Sequence, residues 1–459
     1  MRIIICGAGQ VGTSIARQLA KESHDVTIID HSGDSIRRIS DSLDVNTYIG
    51  FASHPSVLEE AGASHADMLI AVTGTDEVNM VTCQVAKSLF NVPKKIARVR
   101  NQNYLEEQWK DLYRQDHLPI DVIISPELEV ARAVNQRLHV PGAIETIPFI
   151  NGKLKVLAVR CSMDCPLIDR PLYRLNERLH NSLISIVGIL RGEHLLIPGE
   201  NERLMPGDEV FFITPSENVP HAMELFGFEG REARRLIIIG GGNIGLYLAQ
   251  ELEAAHEDTR IKIIELDRER AEFIAGKLER TTVINGSALE HEILQEANVW
   301  GAETVIAVSN NDQVNILASL LAKRFGAKRA LTLVKSDSYT PLMSSLGIDV
   351  DVNPREITVS SILQHIRCEG NIKAVHTICN GAAEIIEAKA DASSPIIGKM
   401  LKSLELPSQV MVGMIVRDKT MVIPTENTII HAGDCLIMLC MAAAVKTVED
   451  VFSVKFEYF

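Results

Sequence analysis

Ile3-Ile4-Ile5-Cys6-Gly7-Ala8-Gly9-Gln10-Val11-Gly12 stands at the start of the chain, and Leu236-Ile237-Ile238-Ile239-Gly240-Gly241-Gly242-Asn243-Ile244-Gly245 repeats its form in the second half. Each stretch is an apolar, mostly β-branched run, then a G-x-G-x-x-G turn, then a helical pattern. The first glycine permits a tight turn. The second lets an anion approach the backbone, and the third lets the helix pack closely on the strand. The N-terminus of that helix offers N–H groups without intrahelical partners and a partial positive charge. Each half is therefore expected to build a strand–turn–helix able to hold phosphate.

The residues that follow sharpen the reading. The second strand of the first copy, Val26-Thr27-Ile28-Ile29, ends in Asp30, and that of the second copy, Ile261-Lys262-Ile263-Ile264, ends in Glu265. An acid about 20 residues beyond the glycines accepts hydrogen bonds from ribose hydroxyls and repels a 2′-phosphate. NAD or another adenosine ligand is favoured over NADP. Both copies read as Rossmann-type α/β units. In the first, strands are expected at Arg2–Cys6, Val26–Asp30, Val45–Ile49, Met68–Val72, Lys95–Arg100 and Ile120–Ile124, with helices between them.

In an open α/β sheet, ligands sit at the carboxyl edge of the strands. Thr73 and Gly74 follow strand 4 at that edge. Arg98 and Arg100 alternate with Ala97 and Val99 on the expected strand 5, so two cations of one parity face the same crevice. A helix from Glu127 to Leu138 carries Leu128, Ala131, Val134 and Leu138 as an apolar stripe; it packs on its own domain or crosses to a partner subunit.

Residues 143–228 change character, with short strand-like runs at 154–160, 183–190, 194–197 and 209–213, punctuated by Asn151-Gly152, Pro198-Gly199 and Pro206-Gly207-Asp208. A small α+β domain is expected there, followed by a charged linker at 229–235. Then the pattern recurs. Thr73-Gly74-Thr75-Asp76-Glu77-Val78-Asn79 answers to Ser309-Asn310-Asn311-Asp312-Gln313-Val314-Asn315, and Gly207-Asp208 answers to Gly433-Asp434. The expected domains are 1–142, 143–228, 229–370 and 371–459. Aligning Tyr104 with Tyr339 sets Arg100 against Lys335 but Arg98 against Leu333. The second crevice has thus lost one guanidinium and is expected to hold a less anionic ligand, or to hold it less tightly.

Composition bounds the function. A net charge of −14 argues against a general affinity for nucleic acid or anionic lipid. No apolar run approaches the roughly 20 residues of a membrane span, and the chain enters a strand at once without a signal-peptide pattern. The eight cysteines show no zinc spacing; Cys6 and Cys83 fall in expected core, and Cys161 and Cys165 form a C-x₃-C of reduced thiols. No metal ligand set and no catalytic residues are expected.

The duplicated order of glycine turn, acid after strand 2, T-G turn, R-V-R strand 5 and small P-G-D-containing domain resembles the RCK (KTN) family over the whole chain, in the duplicated form found as peripheral subunits of bacterial Trk potassium uptake systems. The resemblance implies two tandem doubly wound Rossmann-type domains, each followed by a small RCK C-terminal domain. It implies homo-oligomeric rings, as dimer or tetramer, at the cytoplasmic face of the membrane beneath a TrkH- or TrkG-like potassium-transporting subunit. It also implies binding of NAD(H) or ATP/ADP, with ATP/ADP in the first site. Carried over by position, the first site comprises Gly7, Ala8, Gly9, Gln10, Val11 and Gly12, with Asp30, Thr73, Gly74, Arg98 and Arg100. The second comprises Gly240, Gly241, Gly242, Asn243, Ile244 and Gly245, with Glu265, Ser309, Asn310 and Lys335.

Two other functions compete. An NAD-dependent dehydrogenase needs an acid/base group beside the nicotinamide, yet His54, His65 and His291 have no partner in the sequence and the small domains carry no catalytic constellation. A nucleotide hydrolase would show a G-x₄-G-K-[ST] loop, and none occurs. Asp76-Glu77 reads as a helix N-terminal turn rather than a metal pair. A nucleotide-sensing regulator is the expectation.

Overall fold

The computed structural model describes all residues except 23, 115, 229–232, 337, 344, 368–370, 393, 405, 419 and 453–459. Most of the expected linker and the boundary placed at residue 370 lie outside the described residues.

The first glycine stretch builds what its pattern predicts. β1 (Arg2–Cys6), β2 (Asp25–Asp30), β3 (Asn46–Ile49), β4 (Met68–Ala71), β5 (Lys94–Arg98) and β6 (Val122–Ile124) form a parallel sheet in the order β3-β2-β1-β4-β5-β6. The order reverses beside β1, which opens a crevice at the carboxyl edge between β1 and β4. Ile3, Ile4, Ile5 and Cys6 are buried because helices cover both faces of a parallel sheet. Those helices are α1 (Gln10–Lys21), α2 (Gly33–Ser40), α3 (Pro55–Glu60) and α4 (Asp76–Phe90), and α5 (Pro126–Leu138) follows β6. Cys6 and Cys83 meet in the core, where burial raises both thiol pKa values, that of Cys83 to about 12.

A five-stranded antiparallel sheet follows, with β7 (Ala143–Phe149), β8 (Leu154–Arg160), β9 (Ser185–Arg191), β10 (His194–Leu196) and β11 (Glu209–Pro215) in the order β10-β9-β11-β8-β7. Two helices, α6 (Leu172–Asn181) and α7 (Val219–Leu225), lie beside it. The sequence reading lacked β7 and α6. β7 is an edge strand carrying Glu145, Thr146 and Pro148, which blur its alternation. α6 buries Leu172, Leu175 and Leu179 at helical spacing, but charged and polar residues and Tyr173 fill the rest of it.

The second half repeats both sheets. β12 (Arg235–Ile239), β13 (Arg260–Glu265), β14 (Thr282–Asn285), β15 (Thr304–Ala307), β16 (Arg329–Leu333) and β17 (Val350–Val352) take the order β14-β13-β12-β15-β16-β17. Their helices are α8 (Asn243–Ala255), α9 (Arg268–Ala275), α10 (His291–Glu296), α11 (Asp312–Arg324), α12 (Thr340–Met343) and α13 (Pro354–Arg367). The last sheet holds β18 (Ile372–Ile378), β19 (Ala383–Lys389), β20 (Val410–Arg417), β21 (Thr420–Val422) and β22 (Cys435–Met441), with α14 (Val445–Phe452) beside it. The two antiparallel sheets share one apolar core, in which Ile147, Val156 and Ile213 meet Ile385, Met414 and Leu439.

Residues group into two compact units: Met1–Val130 with Pro354–His365, and Ala131–Asn353 with Ile366–Phe459. In the first, the α13 segment lies with the first nucleotide fold, and Lys94 Nζ donates to the His365 carbonyl at 2.6 Å. In the second, the later turns of α5 lie with the second nucleotide fold. Asn135 Nδ2 donates to Glu251 Oε2 at 3.3 Å, and the Arg329 guanidinium donates to the Arg137 carbonyl at 3.1 Å. The later turns of α5 thus group with the other repeat of the same chain.

Candidate functional site

Each crevice is assembled from three backbone turns at the carboxyl edge of its sheet. The first turn follows β1. Gly7 adopts φ +116°, and a Cβ there would stand 2.9 Å from the Val72 backbone. Gly240 repeats the geometry with φ +102° and the Ser309 backbone at 2.8 Å. Gly9 and Gly242 precede α1 and α8, and neither helix has a side-chain cap. The space beside both glycines is open. Ser32 and Asp267, by contrast, cap the neighbouring helices α2 and α9. The N-termini of α1 and α8 thus keep open space beside N–H groups that no side chain caps. Gln10 and Asn243 are exposed there, Val11 and Ile244 half-buried, and Ala8, Gly12, Gly241 and Gly245 buried.

The acids sit beside these loops and already use part of their capacity. Asp30 Oδ2 accepts from the Ala8 N–H at 2.7 Å, and Oδ1 accepts from the Ser32 N–H at 2.8 Å. Glu265 Oε2 accepts from the Gly241 N–H at 2.6 Å, and Oε1 from the Asp267 N–H at 2.9 Å. A carboxylate has about four lone-pair sites, so each can still accept from ribose hydroxyls.

The turn after strand 4 is organised by residues that the sequence reading did not single out. Asn79 is buried on α4; its Oδ1 accepts from the Thr73 N–H at 2.9 Å and hydroxyl at 2.7 Å. Its Nδ2 donates to the Arg98 carbonyl at 2.9 Å. Asn315 does the same for Ser309, at 2.9 and 2.6 Å, and for the Leu333 carbonyl at 2.9 Å. These matched bonds place Arg98 and Leu333 at equivalent positions. The signal was a buried-pattern asparagine at the same place in both copies. Gly74 and Asn310 stand exposed at the tips of these turns.

Strand 5 is shorter than expected. It ends at Arg98 because Asp76 Oδ2 accepts the N–H groups of Arg100 at 2.9 Å and Asn101 at 2.8 Å, turning the chain out of the sheet. Arg98 and Arg100 therefore do not share one strand face. Arg100 Nε faces Glu127 Oε1 at 3.4 Å in the first turn of α5. Arg98 Nη2 donates to the Thr73 carbonyl at 2.5 Å, while its buried Nε has no hydrogen-bond partner among the described residues. Burial, and next the Arg100 charge, lower its pKa. An anion in this crevice would relieve both effects, so the residues fit a phosphate-bearing ligand. In the second crevice Leu333 is buried, and Lys335 Nζ donates to the Asn310 carbonyl at 3.0 Å. Asp312 clasps the Lys335 and Ser336 N–H groups as Asp76 does in the first. The Asp76-Glu77 pair is thus a helix start and a backbone clasp.

Two glycine-loop crevices on doubly wound sheets, each accompanied by a small antiparallel domain, define a tandem RCK-type fold. The TrkA-N domain model matches residues 3–126 and 236–354, and the TrkA-C domain model matches 156–227 and 385–453. The chain belongs to the TrkA family. It is 45% identical over the full length of both chains to the Trk system potassium uptake protein TrkA of Azorhizobium caulinodans. It is 39% identical, again over 100% of both chains, to that of Halomonas elongata. The GsuK channel shares the fold with a TM-score of 0.62 at 18% identity, covering 98% of this chain and 78% of that one. A structure of the GsuK channel bound to NAD matches with a TM-score of 0.60 at 17% identity over 98% and 78%. The relatives carry the names of transport-system components rather than of enzymes. No helix among the described residues is long and apolar enough to cross a membrane.

Proposed function

We propose that this chain is a nucleotide-sensing regulatory subunit of a potassium uptake system, that it acts at the cytoplasmic face of the membrane, and that it gates a TrkH- or TrkG-like potassium-transporting subunit. Full-length relatives named as Trk potassium uptake proteins support the system. The observation that carries the sensing role is Arg98: a half-buried guanidinium bonded to the Thr73 carbonyl, its Nε without a partner among the described residues, at the sheet edge that also carries the uncapped glycine turn and Asp30. On this reading the first site takes ATP/ADP or NAD(H) through Gly7 to Gly12, Asp30, Thr73, Gly74 and Arg98. The second takes a nucleotide through Gly240 to Gly245, Glu265, Ser309, Asn310 and Lys335. The functional division follows 1–142, 143–228, 229–370 and 371–459, and homo-oligomers form the ring.

The crevice connects to a helix that leaves it. Arg98 ends β5, and two residues later Arg100 reaches Glu127 at the start of α5. A ligand that draws Arg98 toward its phosphates biases this strand end and, through it, α5. Gating then requires the ligand to bind two arrangements unequally. Calorimetric titration of the full chain with NADH, NAD⁺, ATP and ADP tests the binding, with Asp30→Ala and Glu265→Ala to assign the sites. Potassium flux through the reconstituted membrane partner tests the gating. Flux that is the same with every nucleotide, despite saturated sites, would refute it.

A further inference from the structure

Arg270 lies in the second crevice, outside every set of positions assigned above. It stands in the first turn of α9, five residues after Glu265. Its Nε donates to the Gly241 carbonyl at 2.8 Å, and its Nη2 donates to Asn243 Oδ1 at 3.2 Å. The Phe273 ring lies 5.1 Å from its Cζ and fixes one face of the guanidinium. Both hydrogen-bond partners are neutral, and no carboxylate pairs with it among the described residues. A half-buried guanidinium bonded only to neutral acceptors keeps its charge available to an anion. That charge sits on the glycine loop, where an N-terminal helix dipole already favours a phosphate.

The matching position in the first crevice is Ser35, whose N–H is capped by Ser32 and whose hydroxyl accepts from Arg38. The two crevices have exchanged the origin of their guanidinium. The first brings one from strand 5, as Arg98; the second buries Leu333 there and brings Arg270 from the side of β13. The lost guanidinium expected from sequence is therefore replaced from another element. We propose that Arg270 is the phosphate-binding cation of the second crevice. It selects an adenosine nucleotide through the phosphate nearest the ribose, the one that rests on the glycine loop beside Glu265. This inference rests on the nucleotide-sensing reading and adds the residue and the phosphate that set specificity. Lys335, on the strand-4 turn, is left to contact groups farther along the ligand.

The test is calorimetric titration of the full-length chain with adenosine, AMP and ADP, on the unaltered protein and on Arg270→Ala, Arg270→Lys and Lys335→Ala. At the second site, AMP is expected to bind about tenfold or more tightly than adenosine, the size of a charge-assisted hydrogen bond. Arg270→Ala should erase that preference with adenosine affinity kept, and Arg270→Lys should restore part of it. Lys335→Ala, which removes the contact farther along the ligand, should weaken ADP more than AMP. An unchanged ratio in Arg270→Ala would overturn the proposal with nucleotide sensing left standing. So would an equal loss for adenosine and AMP, which is what a strut bracing the loop would give. If no nucleotide binds the unaltered chain, the parent reading falls and takes this one with it.

Discussion

Asp30 Oδ2 accepts the N–H of Ala8 at 2.7 Å, so the carboxylate proposed to read ribose is also a clamp on the glycine loop. Removing it has two consequences that can be separated. Asp30→Asn keeps an acceptor for Ala8 and loses the charge; Asp30→Ala loses both. Nucleotide affinity at the first site should fall in both variants, by about tenfold or more in Asp30→Ala and less in Asp30→Asn. Thermal unfolding without ligand should show a loss of about 1 kcal/mol in the alanine variant and little in the asparagine one. Equal effects of the two substitutions on both measurements would show that the clamp is not the relevant bond.

Arg98 illustrates the opposite balance. Its Nε has no hydrogen-bond partner among the described residues and its charge is disfavoured by burial, a cost that an anion bound there would remove. Arg98→Met should leave the melting temperature of the free chain unchanged or raise it. It should weaken ADP at the first site by about tenfold or more and leave adenosine little changed. A variant that destabilised the free chain by several kcal/mol would place Arg98 among structural residues.

Asn79 joins the two turns that form the crevice wall, through Thr73 and the Arg98 carbonyl. Leucine in its place would leave those buried groups without partners, at about 1–3 kcal/mol for each. Urea unfolding of Asn79→Leu should show a loss of about 3 kcal/mol, and Asn315→Leu a similar one because Asn315 makes the same bonds. A loss below 1 kcal/mol in both would mean that solvent replaces the amide.

The second small domain carries a pH signature. Arg417 Nε and Nη2 each donate to the buried Asp434 carboxylate at 2.8 Å, as Arg191 does to Asp208 at 2.9 and 2.8 Å. Burial acts to raise the Asp434 pKa, but the Arg417 bond and the His431 N–H outweigh it and hold the value below the usual one. A depressed carboxyl pKa gives stability that is full above the unfolded value, near 3.9, and is lost as pH falls through the folded one. Acid unfolding should therefore steepen below about pH 4, and Asp434→Asn should flatten that limb. Parallel acid limbs would assign the effect to other carboxylates.

How much of this was legible in the sequence follows from how local each feature is. The glycine turns and the acids Asp30 and Glu265 follow from short-range backbone and strand patterns, and they fell where the pattern placed them. The end of strand 5 did not, because Val99 and Arg100 continue the alternation and only Asp76, reaching from α4, draws the chain away. Arg270 was invisible for the same reason: its partner Gly241 is 29 residues earlier, and the fold alone joins them. Asn79 and Asn315 were written in both copies, but a polar letter in a helix acquires meaning only when the strand ends it bridges are known. The edge strand β7, with its proline, was lost to composition.

The reciprocal placement of α5 and α13 bears on how such a chain came about. Each helix emerges from one repeat and lies with the nucleotide fold of the other. Each repeat thus contributes one helix to the compact unit built on the other, within a single polypeptide. In a symmetric dimer every substitution appears in both sites at once. Fusion removes that constraint, so Leu333 could replace an arginine in one crevice while Arg98 persisted in the other, and Arg270 could arise opposite Ser35. A duplicated chain thus lets two copies of one glycine-loop crevice diverge while holding them in fixed one-to-one proportion.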